Sequence, residues 1–368
     1  MKNLVPWLTL TSVPGIGPIR ISRLIRHFGS PRSVLEASER ELSAVEGLGP
    51  ELARAIRRHV PPAWAARELD RVRAAGFRMV TLLDPDYPPL LGEIPDPPPL
   101  LYVHGTLVPE AAAVAVVGSR KATSYGLTTA RRLCKGLAAR GITVVSGMAI
   151  GIDTAAHQGA LAGGGRTVAV LGTGLACVYP PRNKPLCAQI AQQGAVITEF
   201  NLDAPPEPHH FPARNRIISG MCLGTVVVEA AQRSGSLITA RLAAEQNREV
   251  YAVPGSVHAE NSHGTHALIQ QGAKLVQDVD DIIDEIKHRI THSPADRPPE
   301  RSNRASRTDL PAEEAALLDA LGPYPVHIDD LARSLRQESS RIASLLVLLE
   351  IKGIAQRQPG NYYLRSID

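Results

Sequence analysis

Six short apolar runs recur through the middle of the chain: Val114 to Val117, Thr143 to Ser146, Thr167 to Leu171, Ala195 to Thr198, Thr225 to Val228 and Val250 to Val253. They are rich in β-branched residues, apolar on both faces and separated by helical stretches. Strands of that composition are covered on both sides, and intervening helices supply the crossovers that parallel neighbours require. The pattern confines residues 79–290 to an α/β domain built on an extended Rossmann-like parallel sheet. The chain has 368 residues, more than one ordinary core accommodates, and its two flanks are patterned differently.

Residues 1–78 read as short helices with an internal repeat. Val13-Pro14-Gly15-Ile16-Gly17-Pro18 returns as Val45-Glu46-Gly47-Leu48-Gly49-Pro50, and a basic amphipathic helix follows each copy. Two glycines make a tight hairpin and the proline suits the first helical turn, leaving N–H groups at a positive dipole end. The spacing resembles the helix-hairpin-helix (SAM-like) element of non-sequence-specific DNA binders, which makes Gly15, Gly17, Gly47 and Gly49 accessory DNA-binding candidates. A Gly-x-Gly turn also packs helices without binding anything. Charge follows the same division. Residues 1–75 hold 12 Lys and Arg against 7 Asp and Glu, whereas the whole chain carries only +4, and a concentrated basic patch suits a phosphate backbone.

Seven prolines between Pro85 and Pro99 read as an extended connector. Residues 291–309, rich in Arg, Ser and Pro, read as a linker. Residues 310–368 offer three helical segments and a hairpin around Pro359-Gly360, a winged helix whose third helix is mostly apolar and favours protein contact over base reading. With 44% hydrophobic and 21% charged residues the chain is globular in composition. No apolar run is long enough for a membrane span, the start lacks the apolar stretch of a signal peptide, and Cys134, Cys177, Cys187 and Cys222 are too sparse for a disulfide framework. A cytoplasmic protein without membrane contact is expected.

The chemistry gathers at strand ends. After the first run come Gly118-Ser119-Arg120 and a helix opened by Thr123-Ser124-Tyr125-Gly126. A dinucleotide site would need G-x-G-x-x-G and an acidic residue ending the second strand, and neither is present. An arginine there can grip phosphate bidentately. Further loops carry Gly151 and Asp153, Gly172 and Gly174, Phe211 with Arg214, Asn215 and Arg216, and Ser234-Gly235-Ser236 with Thr239. Asp153 reads as a helix cap with His157 one turn on. Loops at the carboxyl ends of parallel strands converge on one crevice, here lined by Gly, Ser, Thr and Arg and suited to a polyanion.

The order of these motifs, Val-Gly-Ser-Arg, Gly-Ile-Asp-x-x-Ala-His, Leu-Gly-x-Gly with Tyr179-Pro180 and Asn183, Phe-Pro-x-Arg-Asn-Arg-Ile-Ile, Ser-Gly-Ser-Leu-Ile-Thr-Ala and Val-Pro-Gly, resembles the DNA-processing protein A (Smf) family. The resemblance is dense from Thr81 to Val276 and looser in the flanks. It implies a single-stranded DNA binder that protects incoming strands and loads the RecA recombinase in natural transformation, acting as a homodimer and not as an enzyme, with no cofactor and no metal. It also implies that Arg120 holds backbone phosphate, that Arg182 and Lys184 extend the track, and that the Phe211 to Arg216 loop lines the same pocket. Met148-Ala149-Ile150 departs from members that carry a charge before Gly-Ile-Asp.

Three other readings compete. The same Rossmann variant resembles nucleotide phosphoribohydrolases of the lysine-decarboxylase-like group, but Ser234-Gly235-Ser236 replaces their double glycine and Glu229 is the nearest carboxylate. A metal site on His258, His263 and His266 lacks a supporting ligand pattern beyond Glu260. A scaffold acting through the winged helix alone would leave the phosphate pocket without purpose.

Overall fold

A computed structural model describes residues 3–109, 111–289, 311–322 and 325–365; the expected linker 291–309 lies outside the described residues. The N-terminal part contains α1 (Val5–Thr11), α2 (Pro18–Phe28), α3 (Pro31–Glu36), α4 (Glu39–Ser43), α5 (Pro50–Arg58) and α6 (Trp64–Ala74). The repeat is also a structural one. Gly15 and Gly47 sit at φ +81° and +82°, where a side chain is strained, and Gly17 and Gly49 precede Pro18 and Pro50 at the first turns of α2 and α5. The apolar faces of these helices close over Leu24, Ile25, Leu42, Leu48 and Ile56.

The central part runs β1 (Arg78–Thr81), α7 (Pro89–Gly92), β2 (Leu100–Gly105), β3 (Ala113–Val117), α8 (Ser124–Ala139), β4 (Thr143–Ser146), α9 (Ile152–Ala162) and β5 (Thr167–Val170). It continues with α10 (Lys184–Gln193), β6 (Ala195–Thr198), α11 (His210–Gly220), β7 (Gly224–Val227), α12 (Gly235–Glu245), β8 (Glu249–Ala252), α13 (His263–Gln270), β9 (Lys274–Leu275) and α14 (Val279–Ile286). The strands form one nine-stranded sheet in the order β1-β2-β6-β5-β4-β3-β7-β8-β9. From β6 across to β9 every pair is parallel, with Val114 opposite Val144 on one side and Gly224 on the other. The Rossmann-like parallel expectation therefore holds, with two antiparallel strands, β2 and β1, added at one edge.

The order has a consequence for function. After β3 the chain builds β4, β5 and β6 to one side, then crosses back to place β7 on the other side of β3. The loops leaving β3 and β7 part in opposite directions, and such a switch point opens a crevice at the carboxyl ends of the strands.

Both faces of the sheet are buried. Ala115, Val117, Ile197 and Ile217 belong to one core, and Val114, Val116, Leu133 and Ile152 to the other. The proline-rich segment differs from the extended connector expected of it. Pro88 and Pro89 open the short α7, and Tyr87, Leu91 and Ile94 are buried in the first core, with Tyr87 donating its hydroxyl proton to the Pro98 carbonyl at 2.8 Å. Proline is compatible with a first helical turn, so a dense run of them does not prevent a short one.

The C-terminal part holds α15 (Ala312–Ala320), β10 (Val326–His327), α16 (Ile328–Leu335), α17 (Ser339–Ile351), β11 (Ala355–Gln358) and β12 (Tyr362–Arg365), a three-helix winged helix with a three-stranded sheet. In α17, Ile342, Leu346 and Leu349 are buried while Val347, Leu348 and Ile351 are exposed, and Arg341 is paired with Glu313 at 2.6 Å. Among the described residues no helix is long and apolar enough to cross a membrane.

His157 ties the sheet to a strand-end loop. It is fully buried on α9, with Nδ1 2.7 Å from Thr167 Oγ1 on β5 and Nε2 3.3 Å from the Gly147 carbonyl. Burial holds its pKa down at about 4, against an ordinary 6.5. As pH falls below about 6.5 the unfolded chain takes up this proton first, so stability that is complete above 6.5 is lost progressively toward pH 4, by on the order of 3 kcal/mol. In denaturant titrations from pH 8 to pH 4, His157→Gln should show a shallower decline than the parent protein. Parallel profiles for the two proteins would contradict this role.

Candidate nucleic-acid interface

The crevice at the switch point has a volume of about 890 Å³. Its first wall is the loop after β3. Gly118 has to be glycine because a Cβ there would come within 2.6 Å of Ile152, and Gly151, at φ +86°, lies so close that its own Cβ would meet the Ser119 carbonyl at 2.3 Å. The Ile152 N–H donates to that same carbonyl at 3.2 Å, and the Lys121 N–H donates to Ser119 Oγ at 3.1 Å. This lacing turns Arg120 and Lys121 out of the sheet. Both are exposed, and among the described residues neither forms an ion pair or donates a side-chain hydrogen bond.

Glu229, at the end of β7, holds that wall from below. It is buried, accepts from the Thr123 N–H at 2.9 Å and from Thr123 Oγ1 at 2.5 Å, and packs its carboxylate against Gly126. Thr123 in turn caps α8 by accepting from the Gly126 N–H. Both Glu229 oxygens are thus engaged in fixing a loop. Opposite, Ser234 caps α12, accepting from the Ser236 N–H, and its hydroxyl lies 2.7 Å from that of Ser236, while the space beside Gly235 is open. Asn261 joins the walls by donating to the Lys121 carbonyl at 2.9 Å.

Arg214 and Asp153 form the floor. Arg214 is buried, donates from Nη1 to the Val170 carbonyl at the end of β5, and from Nε to Asn215 Oδ1 at 3.2 Å. Burial lowers its pKa to about 10, with Asp153 acting in the opposite direction. Burial likewise raises the Asp153 carboxyl, opposed by Arg214 and by the Ala149 N–H that donates to it at 3.3 Å. Asp153 lies in the first turn of α9 and does not occupy the cap position, which Gly151 takes. The two groups face each other across Gly147 without an ion pair or hydrogen bond between them; a Cβ there would lie 2.3 Å from Asp153 Oδ2 and 2.7 Å from Arg214 Nη2.

A smaller recess of about 90 Å³ adjoins the crevice between Met148, Ile150, Gly172, Tyr179 and Phe211. The Tyr179 and Phe211 rings stand 5.9 Å apart at 53°, and the Arg120 guanidinium carbon lies 5.6 Å from the Phe211 ring centre. The recess joins flat apolar surface to a free cation.

The sequence-derived candidates divide accordingly. Gly118, Ser119, Arg120, Asp153, Phe211, Arg214, Asn215, Ser234, Gly235, Ser236 and Thr239 line the crevice, Gly172 lines the recess and Gly151 supports the first wall. Gly174 faces elsewhere, packed so tightly on the 201–204 segment that a Cβ would meet the Leu202 carbonyl at 2.0 Å. Arg216 is also turned away. It is buried and paired with Asp96 at 3.2 Å and with Glu199, because a helix rotates about 200° over two residues and so separates Arg216 from Arg214. Arg182 and Lys184 are exposed beyond Tyr179-Pro180 and outside the crevice lining. Tyr125 donates to the Pro254 carbonyl within the core layer instead of facing the crevice. Lys121 and Asn261 enter from outside the expected set; the position of Lys121 next to Arg120 was the available signal.

In the N-terminal repeat the glycine hairpins face each other. Arg20 donates to the Gly47 carbonyl at 3.1 Å and the Gly15 carbonyl at 3.0 Å, and Arg23 donates to the Glu46 carbonyl at 3.2 Å. Two arginines that composition assigns to a solvated basic face therefore clamp one hairpin to the other. Arg26 and Arg58 make no ion pair or side-chain hydrogen bond among the described residues. His266 Nε2 lies 3.1 Å from the Gly255 carbonyl, and no described group of His, Cys, Asp and Glu side chains is arranged to hold a metal.

A Rossmann-like domain with exposed cations at its switch point, combined in one chain with paired helical hairpins and a winged helix, defines the class of α/β protein to which this chain belongs. Comparison with known proteins identifies the family. Residues 78–287 match the family described as DNA recombination-mediator protein A, residues 298–361 its winged helix domain, and residues 8–60 a SAM-like helix-hairpin-helix tandem. The chain is 34% identical to protein Smf of Synechocystis over 98% of both chains, and 41% identical to protein Smf of Escherichia coli over 75% of this chain and 74% of that one. The crystal structure of DNA processing protein A from Streptococcus pneumoniae superposes with a TM-score of 0.68 at 37% identity, covering 77% of this chain and 99% of that one. A solved structure of DNA processing protein A from Helicobacter pylori, concerned with its single-stranded DNA binding mode, gives a TM-score of 0.52 at 28% identity over 58% of this chain and 97% of that one. The chain belongs to the DNA-processing protein A (Smf) family.

Removing the Glu229 carboxylate should unfasten the first wall. Glu229→Ala leaves the Thr123 N–H and hydroxyl without their acceptor, so it should destabilise the protein by about 2 to 3 kcal/mol. Glu229→Gln, which keeps one acceptor oxygen, should lose about half as much. Equal stability of Glu229→Ala and the parent protein in urea would show that the carboxylate does not hold the loop.

Proposed function

We propose that this protein binds single-stranded DNA along the crevice and acts as a recombination mediator, protecting incoming strands and delivering them to the RecA recombinase during transformation. The observation that carries this reading is the pair of unpaired cations, Arg120 and Lys121, held at the switch point beside the exposed Tyr179 ring and Phe211. Family membership and the single-stranded DNA binding mode of the Helicobacter pylori relative support it. In this reading the protein is a cytoplasmic homodimer, and Arg182, Lys184 and the hairpin glycines Gly15, Gly17, Gly47 and Gly49 lie on outlying stretches of the strand's path.

The physical division is between positioning and stacking. Arg120 and Lys121 meet phosphate oxygens, Ser234 and Ser236 with the open Gly235 turn receive the next phosphate at the start of α12, and a base rests against Tyr179 and Phe211. Phosphate contacts do not read sequence, so base preference is weak. A duplex about 20 Å across is too wide and stiff for strand-end loops that a single strand can follow. A binding role is supported by Glu229, the carboxylate nearest the Ser234 to Ser236 turn in sequence, having both oxygens committed to Thr123.

Arg120→Glu reverses charge at an exposed position and should lower single-strand affinity by more than tenfold without lowering the melting temperature. Fluorescence anisotropy with a labelled oligonucleotide decides it, and parental affinity at moderate salt would remove Arg120 from the site. Four or five phosphate contacts per subunit imply a log–log salt slope of about −3 for single strands. Matched duplex should bind more weakly at every salt concentration, and equal affinity for the two forms would defeat the proposal.

A further inference from the structure

A second cleft, of about 660 Å³, opens where the N-terminal helices meet the edge of the sheet, and its chemistry is opposite to that of the crevice. Glu68, Glu199 and Asp203 line it against a single cation, Arg71. That cation is already engaged, gripping both Asp203 oxygens at 2.5 and 2.7 Å. Glu68 accepts from the Leu202 N–H at 2.8 Å. Glu199 is different. One of its oxygens is held by Arg216, and the other, Oε1, is buried with no hydrogen-bond partner among the described residues. His210 also lines the cleft, its ring stacked on Phe200 at 3.9 Å, and its buried Nδ1 has no partner either. A native protein seldom leaves two buried polar atoms unsatisfied in one place unless something else completes them.

From this lining we infer that the cleft receives the guanidinium group of an arginine carried by a partner protein. The charge selects a cation: Glu68, Glu199 and Asp203, with Asp96 behind them, outnumber the two committed arginines Arg71 and Arg216, and the remaining negative charge disfavours a nucleic-acid strand. A planar, weakly hydrated guanidinium suits the site better than an ammonium, because it donates from several N–H groups at once and lies flat on the rings of Trp64 and Phe200 that line the cleft. Arg71 on Asp203 shows the same fork geometry at the same cleft. The segment from Phe200 to Phe211 walls both sites, presenting Asn201, Asp203 and His210 to the cleft and Pro206, Pro208 and Phe211 to the crevice. A partner seated here lies beside the bound strand without occupying its path. The inference does not depend on the identity of the crevice ligand.

The test uses the full chain and a capped Gly-Arg-Gly peptide, with the same peptide carrying citrulline as its neutral isostere and spermidine as a non-protein cation, all measured by isothermal titration calorimetry. Saturable binding of the arginine peptide is expected, at least tenfold weaker for the citrulline peptide and for spermidine. Asp203→Lys, an exposed substitution, and Glu199→Gln should each weaken the arginine peptide by at least tenfold, whereas Arg120→Glu and added single-stranded DNA should leave it within twofold. Should Glu199→Gln fail to fold, Asp203→Lys alone carries the comparison. Absence of saturable binding, equal binding of the citrulline peptide, tighter binding of spermidine or competition by DNA would each overturn the inference.

Discussion

Beneath the crevice, a buried guanidinium and a buried carboxylate face each other across a residue that has no side chain. Arg214 from α11 and Asp153 from α9 approach across Gly147, and Arg214 also reaches the Val170 carbonyl at the end of β5. Burying either charge in isolation would be costly, and the opposite charge nearby offsets part of that cost, which favours this one placement of two helices and a strand end. The loops above inherit that position: Ala149 donates to Asp153, and the 147–151 loop then lies against the Ser119 carbonyl that orients Arg120. The exposed cations at the surface therefore rest on a layer of opposite charges beneath them. The same floor separates the roles of the two kinds of arginine, since a guanidinium bound to the Val170 carbonyl and Asn215 is support, and one without an ion pair or hydrogen bond among the described residues is available to a ligand.

The strand order does the rest. A central β3 with later strands on either side releases the 118–123 and 228–239 loops in opposite directions and leaves the crevice open between them. At the edge of the sheet the antiparallel β2 carries Leu100 and Tyr102 into a core shared with Leu8, Leu69 and Val72 of the N-terminal helices. Those helices are thereby packed on the sheet, and the acidic cleft lies between the two.

Much of this was legible in the residues. The six apolar runs match β3 to β8 to within one residue at either end, because strands buried on both faces leave a continuous apolar signature. β1, β2 and β9 were not legible in that way. β9 is two residues long, and β1 and β2 border a proline-rich stretch whose composition hides the short α7 and its buried Tyr87, Leu91 and Ile94. In the crevice, glycines and hydroxyl residues at strand ends showed where backbone comes close. Side-chain direction was harder to read. Arg214 and Arg216 belong to one motif and point to opposite sides of α11, and Arg20 and Arg23, counted as surface charge, bind backbone carbonyls. Spacing identifies a motif, but the packing of neighbouring elements decides which of its charges stay free.

In the proposed mode of binding, one strand runs over the loops following β3, β4 and β7, past Tyr179 and Phe211. Photocrosslinking reports that path directly. A single-stranded oligonucleotide with 4-thiothymidine at successive positions would be crosslinked to the full chain, and the modified peptides identified by mass spectrometry. Crosslinks concentrated at residues 118–121, 147–151, 179, 211 and 231–239 are the result expected here. Crosslinks confined to the hairpins near Gly15 and Gly47, or to α17 of the winged helix, would contradict it.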